Sequence, residues 1–171
     1  MSDYYREQRE KGEAYERYLV WQLRQEGIDV SRYETQADQY AHGDTTIGLE
    51  IKLDTKYCDT GNLFIEVAEK TRAEQLTWIA SGIFATSTAP WYGVGDYRNF
   101  FIFDRDTLRG LVPTARLIAI KRGTSRGFLL TEDRARQLMV RYRHWYQRWP
   151  DGTIDPGRMV TADEIRWGIR T

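Results

Sequence analysis

The sequence predicts an α/β domain, and three stretches carry that reading. Residues 5–26 contain no Pro and one Gly, and they place Glu16, Leu19, Val20 and Leu23 at i, i+3, i+4 and i+7, the stripe of an amphipathic helix. Residues 49–54 alternate strictly, so a strand's two-residue period sets Leu49, Ile51 and Leu53 on one face and Glu50, Lys52 and Asp54 on the other. Residues 63–68 alternate again, with Leu63, Ile65 and Val67 opposite Phe64, Glu66 and Ala68. A helix, then strands, then a helix and further strands is the order of a layered α/β chain. With 171 residues, 41% of them hydrophobic, the chain is long and apolar enough to bury a real core, and it reads as a single domain over 1–171.

The elements follow in order. Gly27 closes the first helix as a C-cap, and residues 28–33 read as the next strand. A turn over 45–48 brings Asp44 back beside Glu50. Residues 54–61 form an exposed connection, with Asp59, Thr60, Gly61 and Asn62 as its turn. Hairpin pairing of 63–68 with the Glu50 strand would set Glu66 near Lys52 or Asp54, more as a cross-strand salt-bridge partner than as a ligand. Residues 71–80 read as a helix whose apolar side is Leu76, Trp78 and Ile79, stopped by Ser81 and Gly82. Residues 83–95 cross the sheet edge as strand plus turn, 99–103 form a dense apolar run short enough for a buried strand, and 106–111 make one or two helical turns. Residues 116–122 and 127–130 pair as short strands around 123–126. Thr131 is an N-cap, Glu132 and Asp133 suit the helix dipole, and the helix runs to about residue 148. Thr161 with Glu164 forms a capping box opening a last helix through 169. A core over about 5–105 therefore carries a helical C-terminal extension over about 131–171.

Charge and composition exclude several function classes. A net charge of zero does not favour tight non-specific binding to a polyanion. The distribution is uneven, because the nine basic residues between 110 and 148 face only Glu132 and Asp133. Arg141, Arg143, His144 and Arg148 interleave with Tyr142, Trp145, Tyr146 and Trp149, a mixture suited to stacking on bases and holding phosphates, and Arg134, Arg141, Arg143 and Arg148 are the candidate nucleic-acid contacts. The same helix reads slightly better with its aromatics in the core and its arginines snorkelling to solvent. Cys58 is alone, which excludes an intrachain disulfide, and with His42 and His144 the only histidines it argues against zinc. No apolar run nears membrane-spanning length and no signal-peptide pattern stands out, so a soluble, cytoplasmic protein without a membrane partner is expected.

Asp44 followed by Glu50-Ile51-Lys52 resembles the PD-(D/E)XK nuclease superfamily, whose mark is an Asp and then, at variable distance, Glu/Asp-x-Lys. The leading Pro of that pattern is absent here, since His42-Gly43 precedes Asp44; Gly-Asp openings are common among archaeal Holliday-junction resolvases. Residues 16–27 are similar to the opening helix of that resolvase branch, where a Glu-Arg pair precedes an apolar stripe and a Gly. The stretch after Lys52 resembles uncharacterised phage and bacterial members, and the likeness covers mainly residues 13–67.

The resemblance implies a three-layer restriction-endonuclease-like fold, a central mixed sheet flanked by helices, and metal-dependent hydrolysis of DNA phosphodiesters, on branched or duplex substrates. It implies Mg2+, with Mn2+ as substitute, held by Asp44, Glu50 and the Ile51 carbonyl. Lys52 would position the attacking water or stabilise developing negative charge, and Glu16 would point at the metal site, with Glu13 as the other candidate on that helix. Asp54 and Glu66 would stand around these groups. DNA is the expected partner, and a homodimer would place two sites on two strands. Two other readings compete: a catalytically inactive nucleic-acid-binding or assembly module of the same fold, and an interaction protein whose alternating strand is a half-exposed sheet edge. Inactive relatives often lose one of the three motif residues, and here all three are present.

Overall fold

The computed structural model describes residues 3–120 and 123–144. Helix α1 (Asp3–Gln25) ends as anticipated: Gly27 takes a φ of 81°, a left-handed conformation that costs Gly little, and the Ile28 amide donates to the Leu23 carbonyl at 3.1 Å. The segment expected as a strand is extended but pairs only briefly, through an antiparallel bridge between Arg32 and Thr45. Between these two positions lies α2 (Gln36–His42), an element the periodicity did not reveal. Its signal was Thr35 three residues before Asp38, since the Thr35 hydroxyl accepts from the Asp38 amide as an N-cap. There follow β1 (Leu49–Leu53), the single turn α3 (Tyr57–Thr60), β2 (Asn62–Glu69), β3 (Ile79–Ala80), β4 (Trp91–Gly95), β5 (Asn99–Asp104), α4 (Arg105–Leu111), β6 (Ile118–Ile120), β7 (Ser125–Thr131), α5 (Glu132–Leu138) and β8 (Arg141–His144).

The strands form two sheets. One is mixed, in the order β1-β4-β5-β8, with β1 parallel to β4 and the other pairs antiparallel; the second is antiparallel throughout, β3-β2-β7-β6. The fold is therefore α/β with a mixed sheet and helices. Strand alternation distributes the core on both sides of the mixed sheet. Leu49, Ile51, Phe100 and Ile102 pack with Tyr15, Leu19, Val20 and Leu23 of α1. Tyr92, Val94, Phe101 and Phe103, one residue out of phase, share a second core with Leu63, Ile65, Phe128 and Leu130 of the other sheet. Gly93 fits because a Cβ there would run into the Phe100 ring. Among the described residues no helix is long and apolar enough to cross a membrane.

Three expectations are corrected. Residues 62–69 do not form a hairpin with the Glu50 strand; β1 pairs with β4, and β2 joins β7 and β3 in the second sheet. A parallel pair needs a long crossover between its strands, and β2 and β3 lie inside that crossover. Residues 71–80 are not a helix. The Gln75 side chain accepts from the Thr71 and Arg72 amides and closes a turn, and Leu76, 95% exposed, has nothing to pack on. An amphipathic pattern without a facing surface gains little from helix formation. The helix from Thr131 keeps its cap, the hydroxyl accepting from the Arg134 amide, but it stops at Leu138 and residues 141–144 form β8. Tyr142 decides this. Its buried ring lies 4.7 Å from that of Phe101 and its hydroxyl donates to Asn99 Oδ1 at 2.7 Å, contacts that require the strand. The helical extension is thus not continuous, and Arg148 and the capping box at 161–164 lie outside the described residues.

Candidate active site

The site is built around the open edge of β1, which among the described residues has a neighbour, β4, on one side only. Both main-chain groups of a strand residue point to the same side, and those of its neighbours to the other. The Ile51 amide donates outward to Asp44 Oδ2 at 2.6 Å, so the Ile51 carbonyl also turns to that open edge, beside Asp44. The turn that returns Asp44 is closed by the Gly48 amide on the Thr45 carbonyl at 3.0 Å, with Gly48 at a φ of 68°. Thr45 is buried and its hydroxyl bridges both main-chain groups of Leu49 at 3.2 Å, extending the contact to the start of the strand. Asp44 is brought back as expected, seated on the Ile51 backbone.

Glu50 and Lys52 emerge on the face opposite Leu49 and Ile51, the side they share with Tyr92 and Val94 across the parallel register. Lys52 Nζ lies 3.1 Å from Glu50 Oε1, and its side chain is 38% exposed. Glu50, only 5% exposed, directs Oε2 at Arg105 Nη2 (2.7 Å), and Ser87 Oγ donates to the same oxygen at 3.3 Å. From α1, Glu16 pairs with Arg32 Nε at 2.6 Å, whereas Glu13 pairs with Arg9 on the exposed side of the helix. Burial raises the Glu16 carboxyl above the usual range and nearby Asp44 adds to this, while Arg32 and Lys52 pull the other way. Burial also raises Asp44, with Glu50 repulsion adding to it, while Lys52, the Ile51 amide and Arg32 pull the other way. Burial by itself would lower the Lys52 ammonium; the carboxylates of Glu50 and Asp44 more than offset that and hold it well above its ordinary value. Lys52 is therefore a cation at neutral pH.

Sequence reasoning missed Arg105. It is 2% exposed and uses its whole guanidinium: Nε donates to the Ile83 carbonyl, Nη1 to Ser87 and to the Ala89 carbonyl, and Nη2 to Glu50 and the Gly82 carbonyl. It holds the 82–89 segment together and fixes one oxygen of Glu50. The only trace in the sequence is its place two residues after the apolar run 99–103, behind the N-cap Asp104.

The outer candidates have structural partners. Asp54 accepts from the Lys56 and Phe64 amides at 2.9 and 2.8 Å, which ties the end of β1 to β2. Glu66 receives the hydroxyls of Ser81 and Ser125 on its two oxygens, yet it contributes to the field at Lys52. Of the basic residues, Arg134 is exposed and bonded to Gln137, and Arg141 reaches the Val140 carbonyl. Arg143 is 3% exposed and paired with Glu26 at 2.6 Å, which removes it from any phosphate-binding surface. The proposed basic helix face is therefore corrected: Arg141 and Arg143 lie on β8, and alternation there sends their neighbour Tyr142 inward.

Among the described residues no group of three or more His, Cys, Asp or Glu converges on one point. Mg2+ does not require one, because it keeps waters and binds one or two carboxylates together with substrate oxygens. The free edge offers hard oxygen donors of that kind in Asp44, the Ile51 carbonyl and Glu50 Oε1. Asp44 is held above the usual carboxylate range by burial and by Glu50, and its fit to Mg2+ rests on the chemistry of these oxygen donors alone. Compared with protein-family models, curated proteins and solved structures, the chain finds no match.

Proposed function

We propose that this chain is a Mg2+-dependent deoxyribonuclease of the PD-(D/E)XK, restriction-endonuclease-like type, acting in the cytoplasm on phosphodiester bonds at the free edge of β1. The observation that supports it is Asp44 seated on the Ile51 backbone at the open edge of β1, next to the face on which Glu50 and Lys52 stand 3.1 Å apart, with Glu16 on α1 close enough to Asp44 to feel its charge. Asp44, the Ile51 carbonyl and Glu50 Oε1 would hold the cation, which supplies charge neutralisation at the phosphate and activation of water. The remaining work falls to the chain. Lys52, cationic and partly exposed, donates to the phosphate oxygen on which negative charge develops. Glu16, its carboxyl raised, orients a water or takes its proton. Arg105 fixes the rotamer of Glu50 from behind.

The second reading, an inactive nucleic-acid-binding or assembly module, is favoured by the pairing of both Glu50 oxygens with cations. The test is cleavage of single-stranded, duplex and branched DNA in Mg2+ or Mn2+ by wild type and Lys52→Ala. Wild type cuts, and the variant stays folded with activity reduced at least on the order of 100-fold, the scale of losing one charge-stabilising donor. Equal activity in both discards the assignment of Lys52, and DNA binding without cleavage in either metal selects the inactive module.

A further inference from the structure

Lys52 lines a groove of about 500 Å3 to which both sheets contribute side chains. The second sheet presents Phe64 and Leu129, cross-strand partners on its face away from Leu63 and Leu130; the mixed sheet presents Lys52, Tyr92 and Val94. Leu129 is an apolar side chain left 53% exposed there. The Tyr92 hydroxyl is buried and makes no hydrogen bond of ordinary geometry; the Glu66 backbone and the charged groups of Lys52, Glu66 and Glu50 lie near it. An orphaned polar atom, an exposed apolar wall and an ammonium in one groove are the features of a ligand site.

We propose that this groove takes the bases of a single DNA strand, so that the substrate is single-stranded or splayed DNA and not an intact duplex. The inference rests on the nuclease reading only for what happens at Lys52; the binding it describes stands separately. A volume of about 500 Å3 falls within the roughly 300–1,000 Å3 of sites that enclose one small molecule. That is room for an unstacked nucleotide, whereas a B-form duplex is far wider, its major groove alone spanning about 12 Å. Phe64 offers a ring for a base to stack on and the exposed Leu129 excludes water around it, over lining that includes Val94 and the buried Tyr92. Lys52 and Lys56 line the groove together with Asp54 and Glu66; Lys52 is paired with Glu50 at 3.1 Å and Lys56 with Asp59 at 3.6 Å, and a phosphate would have to compete for each ammonium. Binding through stacking with few phosphate contacts suits a chain of zero net charge, and one strand in one groove needs no second subunit.

The test uses the full chain in EDTA, with fluorescence anisotropy of a labelled oligothymidylate and of a blunt duplex of equal length. The oligothymidylate is expected to bind on the order of 10-fold more tightly than the duplex, and Phe64→Ala to weaken it about 10-fold. Its affinity should fall with salt at a log-log slope of roughly −1.4, for two phosphate contacts on a single strand. Leu129→Glu, at a position 53% exposed, should weaken binding as well and covers the case in which Phe64→Ala does not fold. Duplex binding equal to or tighter than that of the single strand, or no binding of the single strand, overturns the inference. With Mg2+ added, duplex cut as fast as single strand also overturns it while leaving the nuclease reading intact. Single-strand binding that depends on Phe64 and Leu129, without cleavage in Mg2+ or Mn2+, upholds the groove and removes the nuclease.

Discussion

Arg105→Ala is the substitution on which the architecture of the site depends most. It would leave Glu50, 5% exposed, with Lys52 as its remaining cation, and strip a donor from the carbonyls of Gly82, Ile83, Ser87 and Ala89. Breaking one side of a buried ion pair costs about 3–5 kcal/mol because the partner charge stays buried. Against a total stability of about 5–15 kcal/mol, that is a large fraction. With an m-value of about 2 kcal/mol/M in urea, a loss of about 4 kcal/mol moves the denaturation midpoint down by about 2 M. Urea unfolding followed by tryptophan fluorescence measures this directly. Glu50→Gln, which keeps an acceptor for Arg105, should cost less, and the double variant should show a coupling of about 0.5–3 kcal/mol. A loss below about 1 kcal/mol for Arg105→Ala, the cost of an ordinary single hydrogen bond, would refute the claim that this guanidinium holds Glu50 and the 82–89 segment in place.

Three further outcomes are expected. Burial and Glu50 raise the Asp44 carboxyl in the folded state, so its contribution to stability is full below the unfolded value near pH ~3.9 and is lost as pH rises through the raised one. Asp44→Asn should therefore raise the thermal midpoint at neutral pH, with the gain shrinking in acid; a gain that is the same at both pH values contradicts the assignment. Mg2+ at about 100 times its dissociation constant should stabilise the wild type by about 2.7 kcal/mol in a thermal melt, and Asp44→Asn should abolish the effect; an unmoved wild-type midpoint removes the metal site. Arg143→Ala should cost about 2 kcal/mol through loss of its charged hydrogen bond to Glu26 while leaving oligonucleotide affinity unchanged. Weaker binding at unaltered stability would return Arg143 to the phosphate surface.

Periodicity and end signals by themselves determined a good part of this fold. Helix α1 and its Gly27 cap, the strands at 49–53, 62–69 and 99–104, the hairpin of β6 and β7 and the Thr131 cap are all local free-energy preferences, readable within a window of a few residues. The return of Asp44 to β1 was legible for the same reason, since a turn over four residues fixes it. Legible too was the sidedness of Glu50 and Lys52, though not what each side faces.

Tertiary structure alone decided the partners. Whether 62–69 pairs with β1 or with β7, whether 71–80 finds a surface to coil against, and whether Tyr142 lies on a helix or fills the core beside Phe101 depend on competition between distant surfaces. Arg105 is the clearest case: nothing in its neighbours distinguishes it from a surface arginine until α4 is docked on the 82–89 segment and Glu50 from 55 residues away meets it. Period and capping act between near neighbours and are written in the sequence; burial of a charge with its counter-charge is a long-range outcome that exists only once the chain has closed on itself.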